Sequence, residues 1–223
     1  MEKESILMKQ ILGMPVLLAL LLILTACGAG KAADGTGEAV PELQMGEMSG
    51  GVYANAFLGI GCSLDSDWTY LTNEEILELN TAAAEQMTDE ELREMLETAD
   101  VIQDMYAQAD GGRVSMAVCF EKLDAANGAV TDEAAYLEAA IPVLEQGLTE
   151  TGVTDMTIEE LTETLAGEEH QAVKFSGMLD AETPIYQEQV YLKKGSYMAI
   201  ITLCSAGEDI TARLAAMFHA LDN

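Results

Sequence analysis

Nucleophilic and metal chemistry have little to draw on in this chain. Only two of its 223 residues are histidine, His170 and His219, and four are cysteine: Cys27, Cys62, Cys119 and Cys204. A Ser-His-Asp or Cys-His site needs a histidine within reach of a nucleophile. His170 follows Gly167-Glu168-Glu169 at the start of a strand-like run, and His219 lies between apolar Phe218 and Leu221. Both read as structural. The sequence holds no Gly-x-Ser-x-Gly, no His-Glu-x-x-His and no paired Cys-x-x-Cys, so hydrolase and zinc chemistry of those kinds lack support. Asp65-x-Asp67-x-Thr69 begins like a calcium loop, but Tyr70 stands where the turn needs Gly and Ile76 where it needs Glu. Asp124-x-x-Asn127-Gly128 reads as a turn, and Gly50-Gly51 and Gly111-Gly112 lack the ending of a phosphate loop. Carboxylate pairs could be drawn from so many acids that their number diagnoses nothing. Methionines such as Met87, Met95 and Met217 read as core filling. The sequence therefore predicts no catalytic residue, no metal ligand and no cofactor.

Cys27 is different. Met1 to Gln10 carries Lys3 and Lys9, Ile11 to Ala26 carries no charge, and Leu24-Thr25-Ala26 precede the cysteine. A short basic stretch, an apolar core and small residues before a cut are the parts of a secretory signal. Sixteen apolar positions fall short of the roughly 20 that span a bilayer. The segment resembles the bacterial lipobox, Leu and a small pair before Cys followed by Gly28. That resemblance implies cleavage after Ala26 and diacylglycerol on the Cys27 sulfur, with the amine acylated or free. Cys27 is the expected lipidation site and the expected contact with membrane lipid. The expected location is the extracytoplasmic face of the cell membrane. Glu2 and Glu4 are unusual in a basic start, and Met8-Lys9 offers a second possible beginning.

Cleavage there leaves 197 residues with 37 acids against 8 Lys and Arg, so the mature part keeps the whole net charge of −29. Such a surface repels phosphate backbones, which excludes nucleic acid as a partner. Cys62, Cys119 and Cys204 cannot all pair, and each lies in an apolar run, where a free cysteine behaves as a small buried hydrophobe.

The expected organisation is a signal peptide over 1–26, a lipidated cysteine and flexible acidic linker over 27–50, and one globular domain over 51–223. Gly28 to Gly50 has too few large apolar residues to order itself. Val52-Tyr53 and Phe57 to Leu64 read as strands, with Trp68 as a core anchor. Asn73 to Ala84 and Thr88 to Thr98 read as acidic helices, each opened by capping residues. Val101 to Ala109 and Arg113 to Lys122 flank Asp110-Gly111-Gly112, a hairpin signal. A long helix opens at Thr131-Asp132-Glu133, with a kink expected at Pro142. Four strand-like runs follow: Thr154 to Leu165, His170 to Leu179, Ile185 to Leu192 and Tyr197 to Cys204. Glu208 to Leu221 reads as a closing helix. The fold class is α+β, an antiparallel sheet flanked by helices.

Residues 53–221 resemble extracytoplasmic lipoproteins with a PsbP-like α/β/α sandwich, common in gut Firmicutes. The resemblance rests on Asn55-Ala56-Phe57-Leu58-Gly59-Ile60 leading to Trp68, on Ile185-Tyr186-Gln187, and on Lys193-Lys194-Gly195-Ser196-Tyr197 before an apolar strand. Better-known members of that fold, a photosystem extrinsic subunit and a partner of the GTPase Ran, act by binding. The resemblance thus implies a non-enzymatic binding or accessory module of the cell envelope, with an unknown protein or small-molecule ligand. An enzyme with a cryptic carboxylate site and a purely structural envelope component are the alternatives.

Overall fold

The computed structural model describes residues 43–84, 89–90, 101–123 and 132–221. The expected signal peptide, Cys27, most of the linker, most of the Thr88–Thr98 helix and the Asp124–Gly128 turn lie outside them.

Seven strands form the central sheet: β4 (Thr69–Tyr70), β5 (Val101–Ala109), β6 (Val114–Lys122), β7 (Thr154–Leu165), β8 (Glu168–Met178), β9 (Pro184–Lys194) and β10 (Tyr197–Ala206). Their spatial order is β4-β5-β6-β10-β9-β8-β7, every neighbouring pair antiparallel. Tight turns join most of them. Between β5 and β6, Gly111 at φ 63° and Gly112 at φ 90° adopt the left-handed backbone that glycine tolerates best. Alternation along β6 sends Met116, Val118 and Phe120 to one core and Ala117 and Cys119 to the other. β10 is buried on both faces, which suits a central strand.

Two helices among the described residues cover one face. α1 (Asn73–Ala84) is opened by a reciprocal cap: Thr72 N and Oγ1 each donate to Glu75 Oε2 at 2.8 Å, and Glu75 N donates to Thr72 Oγ1 at 3.3 Å. α2 (Glu133–Glu150) is capped by Asp132, whose Oδ1 accepts from Ala135 N at 3.0 Å. α2 continues as one helix with Pro142 inside it, where a kink is expected from sequence. Leu137, Leu144 and Leu148 pack from α2 onto Cys119, Val173, Phe175 and Ile200.

The opposite face is covered by a small second sheet: β1 (Glu47–Ser49), β2 (Val52–Asn55), β3 (Ile60–Ser63) and β11 (Phe218–Ala220), in the order β1-β2-β3-β11. A five-residue helix, α3 (Thr211–Ala215), sits beside it. Tyr53, Ile60, Cys62, Leu214 and Phe218 share a core with Met116, Val118, Phe120, Val190 and Ile201. The class is α+β, as expected, with the large sheet as middle layer.

Three expectations are corrected. The closing helix of Glu208 to Leu221 exists only as α3; Phe218–Ala220 instead pairs with Ile60–Cys62, because the open edge of β3 offers backbone partners. Ile210, Leu214, Met217 and Phe218 still turn inward, so the apolar spacing is right and the element wrong. Trp68 is only half-buried; the aromatic anchor of this core is the edge-on trio Phe57, Phe120 and Tyr197, with ring centroids 5.9–6.4 Å apart. The linker does not run to Gly50. Leu43 packs on the second core and Glu47–Ser49 pairs with Val52–Ala54, so the body begins before Gly51.

Candidate functional site

The three internal cysteines are free and buried, as expected. Burial pushes the Cys62 and Cys204 thiols up to about 12 and raises Cys119 as well, which keeps all three protonated and unreactive. His219 is exposed on β11 rather than near a helix end. His170, on β8, is less isolated than its sequence context suggests: its Nδ1 lies 3.0 Å from Glu133 Oε1. Glu133 also accepts from Gln171 N at 3.2 Å and Lys193 N at 3.1 Å, pinning the first turn of α2 to two strands. Burial opposes ionisation of Glu133, yet these donors hold it below the usual carboxylate range. Asp65 closes a turn, accepting from Asp67 N at 3.0 Å. Among the described residues no three His, Cys, Asp or Glu side chains are grouped to hold a metal, and no helix is long and apolar enough to cross a membrane.

The polar groups that organise the molecule lie elsewhere, in three places. The first is Asp104. Pairing of β5 with β6 slips between Gln103 and Met105, and the bulge places Asp104 where the two sheets meet. Its Oδ2 accepts from Tyr53 OH at 2.5 Å and Asn55 Nδ2 at 2.7 Å; its Oδ1 accepts from Gly46 N at 2.7 Å. Asn55 Oδ1 in turn accepts from Leu58 N at 2.8 Å. Burial first, then the Asp104 charge, pushes the Tyr53 phenol far above its ordinary value, so it stays a donor. One carboxyl thus joins the N-terminal segment, the small sheet and the large one.

The second is Glu121, near the end of β6. It accepts a hydrogen bond from Tyr136 OH of α2, and the Tyr136 ring lies 5.2 Å from that of Tyr191. Burial pushes Glu121 up to about 7. On the same face, Ser115, Thr202, Gln187 and Gln189 form a buried polar strip across β6, β10 and β9. Tyr191 OH donates to Gln189 Oε1 at 2.8 Å, whereas no partner reaches Gln187 Nε2, Gln189 Nε2, Ser115 Oγ or Thr202 Oγ1.

The third is a charged row on the other face, at the outer strands. Glu159 of β7 stands opposite Lys174 of β8, which stands opposite Glu188 of β9. Lys174 Nζ engages Asp209 Oδ2 at 2.6 Å, and Thr211 Oγ1 donates to Asp209 Oδ1 at 2.9 Å. Burial opposes the charge on Asp209, but Lys174 and Thr211 hold it below the ordinary range. Glu188 is 1% exposed, and no hydrogen bond reaches its Oε1. Burial, and then the nearby Glu163 carboxyl, raise it. Carboxyls therefore outnumber the cation they surround. A shallow notch lined by Leu148, Val153, Met156, Phe175, Ile185 and Gln187 lies on the opposite face; its volume of about 10 Å³ is room for about one water, far below the roughly 300 Å³ of an ordinary ligand pocket.

Tyr53, Asn55 and Gln187 entered the sequence reading only as parts of strands and of the fold resemblance, and Asp104, Glu121, Lys174, Glu188 and Asp209 were given no role from sequence. Gln187-Glu188-Gln189, polar on both faces of an otherwise apolar strand, was the available signal for two of the three groups. Cys27, the one residue assigned a role from sequence, lies outside the described residues.

No protein-family model matches the chain, and no curated protein matches it. Among solved structures it is similar to the cyanobacterial PsbP protein CyanoP of Synechocystis sp. PCC 6803, at 10% identity and a TM-score of 0.46, over 86% of this chain and 99% of that one. It is also similar to LpqN of Mycobacterium tuberculosis, involved in cell envelope biogenesis, at 14% identity and a TM-score of 0.37, over 73% of this chain and 83% of that one.

Proposed function

We propose that this chain is a non-enzymatic binding or accessory module of the cell envelope, held at the extracytoplasmic face of the membrane by lipid on Cys27. Leu24-Thr25-Ala26-Cys27 supplies the address. The structural observation that supports it is the bond from Gly46 N to Asp104, which fixes the arriving chain in the body rather than leaving it to trail from an edge. Fifteen residues lie between Cys27 and Leu43; a flexible chain of that length would reach roughly 21 Å on r.m.s. terms, enough to clear the headgroups. Two acyl chains hold a protein that one would hold only marginally.

Two raised carboxyls, Glu188 beside Glu163 and Glu121 against Tyr136, are the observations that favour a cryptic carboxylate enzyme instead. At 1% and 9% exposure Glu188 and Glu121 have almost no surface to offer a substrate, and binding is the stronger reading.

Metabolic labelling with an alkyne fatty acid, followed by fractionation, tests the anchor. The wild-type chain is expected to be labelled and to sediment with membranes, and Cys27→Ala to lose both properties. Equal labelling of the two would sink the anchor. A thermal-shift screen against peptides and envelope metabolites tests the binding role, since a ligand at 100 times its Kd adds about 2.7 kcal/mol.

A further inference from the structure

Among the described residues β7 closes one end of the large sheet, with β8 on one side and no strand on the other. From Thr157 to Leu165 its pairing with β8 is unbroken, and irregularity is confined to the Thr154–Thr157 end, where Asp155 has φ 51°. Every second residue of that stretch therefore turns its backbone N–H and C=O outward in a regular row. Free edges of this length invite pairing and are commonly blunted by lysine, proline or bulges. Here the regular stretch holds no lysine and no proline, and all its charges are negative: Glu159, Glu160 and Glu163.

The surroundings deepen that imbalance. Lys174, the cation of the row, is engaged by Asp209 at 2.6 Å. Glu188, buried beside Glu163, has an oxygen with no hydrogen-bond partner. A second copy of the chain would bring Glu159, Glu160 and Glu163 against their equals, and like charges directly opposite are destabilising. A basic strand would gain at every one of those positions.

We propose that the β7 edge takes up an extended basic segment of a partner protein as an added strand, with Lys or Arg opposite Glu159 and Glu163 and an aliphatic residue opposite Leu161. The spacing follows from the pleat: Glu159, Leu161 and Glu163 share one face, so the partner carries basic residues four apart with an apolar one midway. Ile158 and Glu160 on the other face favour the same mixture there. This rests on the chain being a binding module, names the class of its partner, and is independent of the lipid on Cys27.

The probe is a fluorescein-labelled peptide, Thr-Lys-Thr-Val-Thr-Lys-Thr, titrated against the full chain purified from expressing cells, with hydrogen exchange measured in parallel. Binding that weakens with salt and slows exchange at alternate amides of Thr157–Leu165 is expected. The double variant Glu159→Lys/Glu163→Lys should weaken binding about tenfold in a chain that still unfolds cooperatively in urea; should it misfold, Glu159→Gln/Glu163→Gln replaces it. The same peptide with Glu for Lys should not bind. No binding at millimolar peptide, binding that leaves β7 exchange unchanged, or binding indifferent to the reversal would each overturn the proposal. Protection of β7 on concentrating the protein alone would assign the edge to a second copy instead. A positive thermal shift from another ligand, with no effect of this peptide, would leave the binding module standing and remove only the edge.

Discussion

Glu121 makes the stability of this protein depend on pH in a direction opposite to most carboxylates. Its side chain is buried, accepts from Tyr136 OH, and is raised from 4.5 to about 7. The folded state therefore holds this proton in a pH range where the unfolded chain has released it. Its contribution is fully present below about pH 4.5 and is lost as pH rises through about 7. At about 1.4 kcal/mol per unit, the rise corresponds to about 3 kcal/mol, an upper value because solvent reaches part of the group. Glu121→Gln keeps an oxygen for Tyr136 and removes the titration. The variant should lie within about 1 kcal/mol of the wild type at pH 5 and exceed it by up to about 3 kcal/mol at pH 8. Urea unfolding from pH 5 to 8, followed by Trp68 fluorescence and circular dichroism, measures both. The difference between the two proteins is the decisive quantity, since it cancels the general repulsion of a chain carrying net charge −29. A difference that stays flat across that range would refute the placement of Glu121 in a dry, partnered site.

Two further outcomes follow from the same geometry. Asp104→Ala leaves Tyr53 OH buried without an acceptor, leaves Asn55 Nδ2 only the Gln44 carbonyl at 3.4 Å and frees Gly46 N, at an expected cost of about 3–5 kcal/mol in urea denaturation; a loss below about 1 kcal/mol would show that the three donors find other partners. Cys62, Cys119 and Cys204 should resist a thiol reagent in the native protein and react together in urea, and rapid native labelling of any of them would contradict their burial.

The large sheet was legible from sequence because its signals are local. Asp110-Gly111-Gly112 and Lys193-Lys194-Gly195-Ser196 mark turns by composition, and the runs between them alternate or stay apolar over lengths that suit strands. The end of the chain misled because Ile210, Leu214, Met217 and Phe218 meet a helical spacing that a short helix followed by a strand meets equally well. The choice was made by the free edge of β3, more than 150 residues away in sequence, which no window can contain. The segment Leu43–Ser49 was illegible for a related reason. It is held by backbone pairing to β2 and by Asp104, neither of which leaves a mark in its own composition. Asp104 itself is one acid in a strand, and only the slip of register between Gln103 and Met105 gives it three donors. The buried polar groups Glu121 and Glu188 were hidden among 39 acids, where number masks the few that leave the surface.

The bond between Gly46 and Asp104 also decides how the molecule bears tension. β1 is a three-residue edge strand, and on its own it would peel from β2 one hydrogen bond at a time, the weakest way to load a sheet. A pull arriving along the N-terminal segment meets Gly46 before it meets β1, and Asp104 passes that pull directly to β5, inside the large sheet. The same carboxyl holds Tyr53 and Asn55 of β2, so strap, small sheet and large sheet are loaded together. A force applied to the N-terminal segment would therefore load both sheets through Asp104 rather than β1 alone.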